Sequence, residues 1–274
     1  MPKYTFDRVN HTHYLDKRYL YGTTTILSIL GKGGLQWWAS GMALKEMGWI
    51  NPNKHTPEEY YSMAEKGLDK IKENFLNPDI YSVRGAHWGR FLNKCYRAHD
   101  TKKKDRAEEG INIHSLCEEY IRAEMKEEKD AVAKAPALIE PFIGWCQKNV
   151  KRFLFSELHC YSEKLFVGGI CDFAFIDKAD NYVLADIKSR DKVYFSDFVQ
   201  MGAYHTQIEE NGGYTPEGEK IFTLDKPFKY HAVFPIGDNF KEPVINERTV
   251  WAQKAFENAL NLYKAREEWE KSNE

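Results

Sequence analysis

Two aspartates and a lysine form the densest group of chemistry-bearing residues in the sequence. Asp172 closes the segment Gly-Gly-Ile-Cys-Asp, and Asp186 and Lys188 follow fourteen residues later in Ala-Asp-Ile-Lys. Side chains alternate along a strand, so Asp186 and Lys188 share one face, and a hairpin would place Asp172 across from them. Two aspartates buried together require a compensating cation. Mg²⁺ or Mn²⁺ suits carboxylate oxygens, and the backbone carbonyl of Ile187 is a further candidate ligand.

The competing interpretation of this group is an ordinary Asp–Lys ion pair on a surface hairpin, because short motifs of this kind have many false positives. The apolar residues that flank Asp172 and Asp186 argue against a surface pair, because they predict that both carboxylates lie within buried strands. The sequence therefore favours a buried acidic site.

Two further pairs of polar residues occur at helical spacing. His114 borders the apolar face of a predicted helix, and Glu118 lies one turn further along the same face. Gln200 and Tyr204 are also one turn apart, on the helix predicted after the strands. A hydrogen-bonded structural histidine and a simple packing pair are the alternative interpretations.

Four motifs occur in a fixed order across residues 110–204, about a third of the chain. They are Gly110-x-x-x-His114, Gly169-x-x-Asp172, Asp186-Ile187-Lys188 and Gln200-x-x-x-Tyr204. In this order they resemble the RecB-like branch of the PD-(D/E)XK nuclease superfamily. Relatives in that branch include phage-type exonucleases, CRISPR-adaptation nucleases and a mitochondrial single-strand exonuclease.

The resemblance implies a role for each of these residues. His114, Asp172 and Asp186 would bind Mg²⁺ or Mn²⁺, Lys188 would assist the attacking water, and the aspartates would share in catalysis. Gln200 and Tyr204 would support the lysine and the phosphate, while Glu157 and Glu118 are candidates for outer acidic positions. Some relatives also carry four cysteines that bind an iron–sulfur cluster. The five cysteines here include no such set, so no cluster is expected.

The implied function is a metal-dependent DNA nuclease, most simply an exonuclease of DNA recombination, repair or replication. DNA is the expected partner, with a recombination or replication protein as a further candidate. A structure-specific endonuclease of the same fold and an inactive DNA-binding or assembly protein remain alternatives. A third alternative, a metal-dependent phosphohydrolase, is suggested by the doublet His99-Asp100, for which His87 is the nearest further ligand.

The net charge of −2 gives no general affinity for nucleic acid, so DNA binding requires a local basic surface. The segment 84–106 contains eight basic residues against two acidic ones, with aromatic residues between them. We predict that it contacts phosphates and stacks on unpaired bases. The candidates are Arg84, Trp88, Arg90, Lys94, Tyr96, Arg97, Lys102, Lys103, Lys104 and Arg106. A solvated basic face is the alternative.

The elements that must position these residues follow from the apolar periodicity. Helices are predicted at 23–30, 35–49, 56–75, 85–99, 105–127, 137–149, 196–210 and from 247 onward, and strands at 153–161, 165–176, 181–189 and 229–235. The fold class is therefore α/β, in the α+β sense. The resemblance implies a PD-(D/E)XK core of order αβββαβ at 105–274, preceded by an N-terminal helical region at 1–104.

The composition bounds the class of protein. The chain has 274 residues, of which 42% are hydrophobic and 29% charged, as in ordinary globular proteins. It has no apolar run near the roughly 20 residues of a membrane helix and no secretory signal at its start. An odd number of cysteines without a Cys-x-x-Cys pair is typical of reduced thiols. A cytoplasmic location without membrane contact is the expectation.

Overall fold

The computed structural model describes residues 3–31, 35–47, 56, 93–126, 137–237, 240 and 242–273, without the side chains at 35–38, 46, 99 and 101–111. The chain forms two compact units. One comprises Met1–Gly31 with Glu109–Glu274, and the other Lys32–Glu108. The predicted helix at 56–75 and most of the one at 85–99 lie outside the described residues.

The first unit is a mixed α/β fold. The strands are β1 (Tyr4–Asp7), β2 (Thr12–Leu15), β3 (Arg18–Gly22), β4 (Val150–Ser162), β5 (Val167–Asp177), β6 (Tyr182–Lys188), β7 (Gly213–Tyr214), β8 (Lys220–Phe222), β9 (Tyr230–Pro235) and β10 (Val244–Asn246). Among the described residues, the α-helices are α1 (Thr23–Leu27), α2 (Leu35–Glu46), α3 (Ala98–Met125), α4 (Glu140–Asn149), α5 (Phe195–Asn211) and α6 (Thr249–Lys271). Among the described helices, none is both long and apolar enough to cross a lipid bilayer.

Strand β5 is the centre of the sheet. One edge of β5 pairs antiparallel with β4 along its length. The other edge is shared by two strands, because β3 pairs parallel at Gly168, opposite Gly22, and β6 pairs antiparallel from Phe173, opposite Ala185. The other edge of β6 pairs parallel with β9 from Val183 to Lys188.

The shared edge of β5 leaves a gap at residues 169–172, between β3 and β6. Continuing the register of β5 and β6 would place Asp172 opposite Asp186, but the pairing of these two strands ends one residue earlier, at Phe173 and Ala185. Asp172 and Asp186 are therefore the first residues beyond the point at which β5 and β6 separate, which we call the fork. Without hydrogen bonds between the two strands there, side chains can occupy the space between them.

Apolar clusters cover both faces of the sheet. Phe173, Phe175 and Ile187 pack with Phe142 of α4 and with the second half of α3. The alternate residues, such as Leu184, pack with α5 on the opposite face. Full burial of an aromatic or branched side chain stabilises the fold by roughly 1.5–3 kcal/mol, so these two clusters fix the sheet between its helices.

Helix α5 has clear sequence signals at both ends. The Asp197 carboxylate accepts a hydrogen bond from the Tyr194 backbone N–H at 2.7 Å, which satisfies a donor at the start of the helix. Gly212, with a φ of +78°, ends it in a conformation that favours glycine. Between these ends Gln200 and Tyr204 lie one turn apart.

The prediction of a helical region over residues 1–104 is wrong between Tyr4 and Gly22, where the chain forms β1, β2 and β3. The β2–β3 turn consists of Asp16 and Lys17, both with positive φ, where glycine or asparagine is usual. The sequence therefore lacks the turn residues from which a hairpin could have been predicted. The predicted boundary at 104/105 also differs from the compact units, because Met1–Gly31 belongs with the core. Strands β7, β8 and β10 were not predicted either.

Candidate metal-binding and catalytic site

The fork between β5 and β6 turns Asp172 toward α3. In a regular strand the side chains of Cys171 and Phe173 would point to the same face of the sheet. Here they pack in the clusters on opposite faces, so the alternation of side chains along β5 is interrupted at Asp172. Opposite it in β4, Glu157 has a φ of +48°, which is unusual for a residue other than glycine. Asp172 Oδ2 then accepts a hydrogen bond from the Ile187 backbone N–H at 2.7 Å.

His114 reaches the same carboxylate from α3. Its Nδ1 lies 3.5 Å from Asp172 Oδ2. Burial lowers the pKa of His114, and a backbone hydrogen bond with Ile187 opposes that shift. A backbone group that raises the pKa of an imidazole must accept its proton, so this group is the Ile187 carbonyl. An imidazole, a carboxylate and a carbonyl oxygen are thus neighbours.

Asp186 and Lys188 lie on the α5 side of β6, as the alternation of side chains predicts. Lys188 Nζ is 2.6 Å from Asp186 Oδ2. It also donates a hydrogen bond to Gln200 Oε1 at 3.1 Å, and Gln200 Nε2 donates to the Tyr204 hydroxyl at 2.7 Å. The amide of Gln200 therefore holds the lysine on one side and the tyrosine on the other.

Burial dominates the electrostatics of the carboxylates. It raises the pKa of Asp172 to about 6 and that of Asp186 to about 7, although the Lys188 ammonium opposes both shifts. Burial also lowers the pKa of Lys188, but the attraction of Asp186 and Asp172 outweighs it, so the net pKa is raised. Lys188 is consequently a protonated donor in this state. It can stabilise negative charge but does not accept a proton.

Two further acidic residues, Glu157 and Glu118, lie near His114 and Asp172, and Glu118 is paired with Arg122. Glu157 acts electrostatically on both Asp172 and His114. Glu118 pairs with Arg122 on α3, and burial together with repulsion from Glu157 raises its pKa. Both acids add negative potential at Asp172, which a cation would offset.

Sequence reasoning did not find the ion pair of Arg190 with Asp197, whose atoms approach to 2.6 Å. Asp197 is buried and helps to keep Lys188 charged. Its only signal in the sequence is its place in the first turn of α5, which also suits an ordinary helix cap.

The two glycines before Asp172 allow side chains to approach β5 closely. A Cβ at Gly169 would lie 2.6 Å from the Tyr204 ring and 2.9 Å from Thr23 Oγ1. A Cβ at Gly168 would lie 2.6 Å from the His13 side chain. The glycines therefore serve packing beside the site, and Thr23, which donates a hydrogen bond to the Gly168 carbonyl, joins the N-terminal segment to it.

The donor set fits a hard divalent cation. Asp186 Oδ2 is buried beside the Lys188 ammonium, yet burial still raises the pKa of this carboxyl, so the ammonium only partly offsets the cost of its charge. Carboxylate, carbonyl and imidazole groups are ligands for Mg²⁺ or Mn²⁺. Within the described part of the chain, however, no three His, Cys, Asp or Glu side chains are gathered into a closed metal shell. The donors are neighbours, with His114 and Asp172 in direct contact.

The predicted DNA-contact segment is described only in part. Lys94, Tyr96 and Arg97 are exposed to solvent. The side chains of Lys102, Lys103, Lys104 and Arg106, and all of Arg84, Trp88 and Arg90, lie outside the described residues. For the phosphohydrolase alternative, His87 and the His99 side chain also lie outside, and Asp100 pairs with Arg97 at 3.7 Å.

Comparison with known proteins does not extend these observations. The sequence matches no model of a known protein family, and it matches no curated protein.

Proposed function

We propose that the protein is a metal-dependent DNA nuclease. The observation that carries this proposal is the convergence of His114, Asp172, Asp186 and Lys188 at the fork between β5 and β6. The raised pKa values of the two aspartates support it, because ionisable groups perturbed by burial and by a specific charge partner are enriched at functional sites.

The order of elements supports a finer proposal, that the core is of the PD-(D/E)XK type. A helix that carries His114 precedes the meander β4–β5–β6, and α5 with the parallel strand β9 follows it. This agrees with the αβββαβ order implied by the motifs. The positions of the four motifs on α3, β5, β6 and α5 support this finer proposal.

In phosphodiester hydrolysis water attacks phosphorus and releases a proton to solvent, a P–O bond breaks, and the leaving oxygen takes up a proton. His114, Asp172, Asp186 and the Ile187 carbonyl would hold Mg²⁺ or Mn²⁺. When bound, such an ion would neutralise charge on the phosphate and lower the pKa of water. The Lys188 ammonium donates to the attacking water or to a phosphate oxygen and stabilises the charge that develops there. Gln200 keeps the ammonium in place.

The test is cleavage of end-labelled single- and double-stranded DNA with Mg²⁺, Mn²⁺ or EDTA. We expect cleavage only with a divalent ion, and a loss of at least about 100-fold in Lys188→Ala, since one transition-state donor is worth about that much. Lys151→Ala is the matched control, because it removes an exposed lysine that is paired with Asp180. It should cleave DNA at the wild-type rate.

Two outcomes would overturn the proposal. If Lys188→Ala cleaves DNA as fast as the wild type, the site is assigned wrongly. If the wild type binds DNA in the presence of Mn²⁺ but never cleaves it, the protein is a DNA-binding protein that keeps the fold without activity.

A further inference from the structure

A cavity of about 280 Å³ lies beside the site, in the same gap of the sheet. One wall is formed by Gly168, Gly169 and Ile170 of β5 and by Tyr204 of α5. The opposite wall comes from β1–β3 and from the start of α1. Its described residues are Phe6, His11, Thr12, His13, Tyr19, Leu20, Gly22, Thr23, Thr24 and Thr25.

The cavity adjoins the catalytic residues through two side chains. Ile170 precedes Asp172 by two positions on β5. The Tyr204 ring lines the cavity, and its hydroxyl accepts the hydrogen bond from Gln200, which holds Lys188. A ligand in the cavity would therefore lie next to a phosphate held by the ammonium.

The lining differs in character from the site. Among the described residues that line the cavity, none is Lys, Arg, Asp or Glu. Aromatic rings and hydroxyl groups dominate, and burial lowers the pKa of His13 to about 3, which keeps its imidazole neutral. The Oγ1 atom of Thr12 is buried and has no hydrogen-bond partner. Such a surface can bind an uncharged aromatic ring that carries hydrogen-bonding groups at its edge, because the cavity offers both aromatic contacts and hydroxyl groups.

We propose that this cavity binds the terminal nucleoside of a DNA strand, with its phosphate at Lys188, so that the protein removes nucleotides from an end. This inference rests on the proposed nuclease function. The volume lies near the lower limit of roughly 300 Å³ for small-molecule sites, so it admits one nucleoside and no longer segment. A strand that continued past the cavity would meet β3, which is paired with β5 at Gly22 and Gly168.

The experiment compares linear with covalently closed circular single-stranded DNA of the same sequence, in Mn²⁺. We expect the wild type to degrade the linear form and to leave the circle intact. Cleavage of both forms at equal rates would overturn the cavity proposal while leaving the nuclease in place. Cleavage of neither form in any divalent ion would instead count against the proposed function itself.

A variant that fills the cavity provides the second arm. Thr24 is exposed on the cavity wall, so Thr24→Trp should reduce degradation of linear DNA at least tenfold without unfolding the protein. The rise in Tm that Mn²⁺ produces should be unchanged. Binding of thymidine 5′-monophosphate should weaken by a similar factor.

Val250→Trp is the matched control, because Val250 is exposed at the start of α6 and is not among the residues that line the cavity. It should leave degradation and nucleotide binding unchanged. The proposal is wrong if Thr24→Trp, folded and able to bind Mn²⁺, degrades linear DNA and binds the nucleotide as the wild type does.

Discussion

The side chain of Asp186 is 1% exposed and lies between a second carboxylate and an ammonium. Its folded pKa of about 7 exceeds the ordinary value of 3.8. A raised folded pKa means that the ionised carboxylate destabilises the protein at neutral pH, and that stability is regained as the pH falls through 7. A bound cation would remove the same penalty. A cation bound at this carboxylate would therefore increase the stability of the folded protein.

We predict that Asp186→Asn stabilises the metal-free protein at pH 7.5. Asparagine has nearly the shape of the protonated acid and carries no charge, but Lys188 loses one partner, so the net gain should be on the order of 1 kcal/mol. Thermal unfolding in EDTA should show a Tm higher by a few degrees. The rise in Tm that Mn²⁺ produces in the wild type should disappear, because a ligand of the folded state is lost.

Asp180→Asn is the control for this prediction. Asp180 is exposed, and its hydrogen bond with Lys151 lowers its pKa, so this change should not raise the Tm in EDTA. It should also keep the Mn²⁺ response. A lower Tm of Asp186→Asn in EDTA together with a retained Mn²⁺ response would contradict the prediction.

The sequence predicted which residues form the candidate site, but it did not predict how they are arranged in space. Strand alternation placed Asp186 and Lys188 on one face, and the apolar flanks indicated that Asp172 was interior. The interruption of side-chain alternation along β5 at Asp172 has no local signal, because it depends on Glu157 in another strand and on where the pairing with β6 ends. The cavity has none either, since its walls come from segments about 145 residues apart.

At the scale of elements, the contact between α5 and α6 depends on the absence of a side chain at Gly202. A Cβ there would lie 2.2 Å from the Ala252 backbone carbonyl. The backbone cannot yield as a flexible side chain does, so the two helices would have to separate. Because α5 carries Gln200 and Tyr204, this contact also sets the position of these two side chains beside Lys188.

We predict that Gly202→Ala destabilises the protein by about 1–3 kcal/mol or more, as overpacking of a tight contact does. Urea unfolding measures the loss. Gly144→Ala is the matched control, because Gly144 is also helical, and a Cβ there would meet nothing within 4 Å. It should gain about 0.5–1 kcal/mol from the higher helix propensity of alanine. Equal effects of the two changes would show that helix propensity, not the contact, determines stability here.

The elements that sequence predicted are those with a strong local pattern. Strands β4, β5 and β6 combine apolar content with short polar turns, and α5 and α6 have apolar faces of helical period. The missed strands β1–β3 are four or five residues long, and their turns use residues other than glycine. Their stability comes from the pairing of β3 with β5, which lies far away in the sequence.

Four buried histidines among the described residues, His13, His159, His205 and His231, contribute to the response of the whole molecule to acid, because burial lowers the pKa of each. Burial lowers the pKa of His13 and His231 to about 3 and that of His159 to about 4. Between pH 6.5 and these values the unfolded chain binds protons that the folded chain does not, so stability falls as the pH falls. The raised pKa values of Asp172, Asp186 and Glu118 act in the opposite direction, but the four histidines outnumber these three acids.

We predict that the free energy of unfolding decreases from pH 7 to pH 4, and that His231→Gln makes this decrease shallower. Between pH 6 and 4, removing this one histidine should reduce the loss of unfolding free energy by about 1.4 kcal/mol per pH unit. Glutamine retains an amide that can face His205, the 3.0 Å partner of His231. Urea unfolding at several pH values, in EDTA, gives both slopes.

His11→Gln, a change at an exposed residue on the β1–β2 turn, is the control and should reproduce the wild-type slope. A slope in His231→Gln identical to that of the wild type would show that acid destabilises the protein through other groups.

The parallel pairing of Gly22 with Gly168 has a consequence for biosynthesis. At about 5–20 residues per second, a ribosome needs roughly 7–30 s to add the residues between these two partners. During that interval β1–β3 can form only a small antiparallel ribbon, which is marginally stable alone. The ribbon can dock only once β5 has emerged, so the wall that it contributes to the cavity is assembled well after β1–β3 themselves have been synthesised.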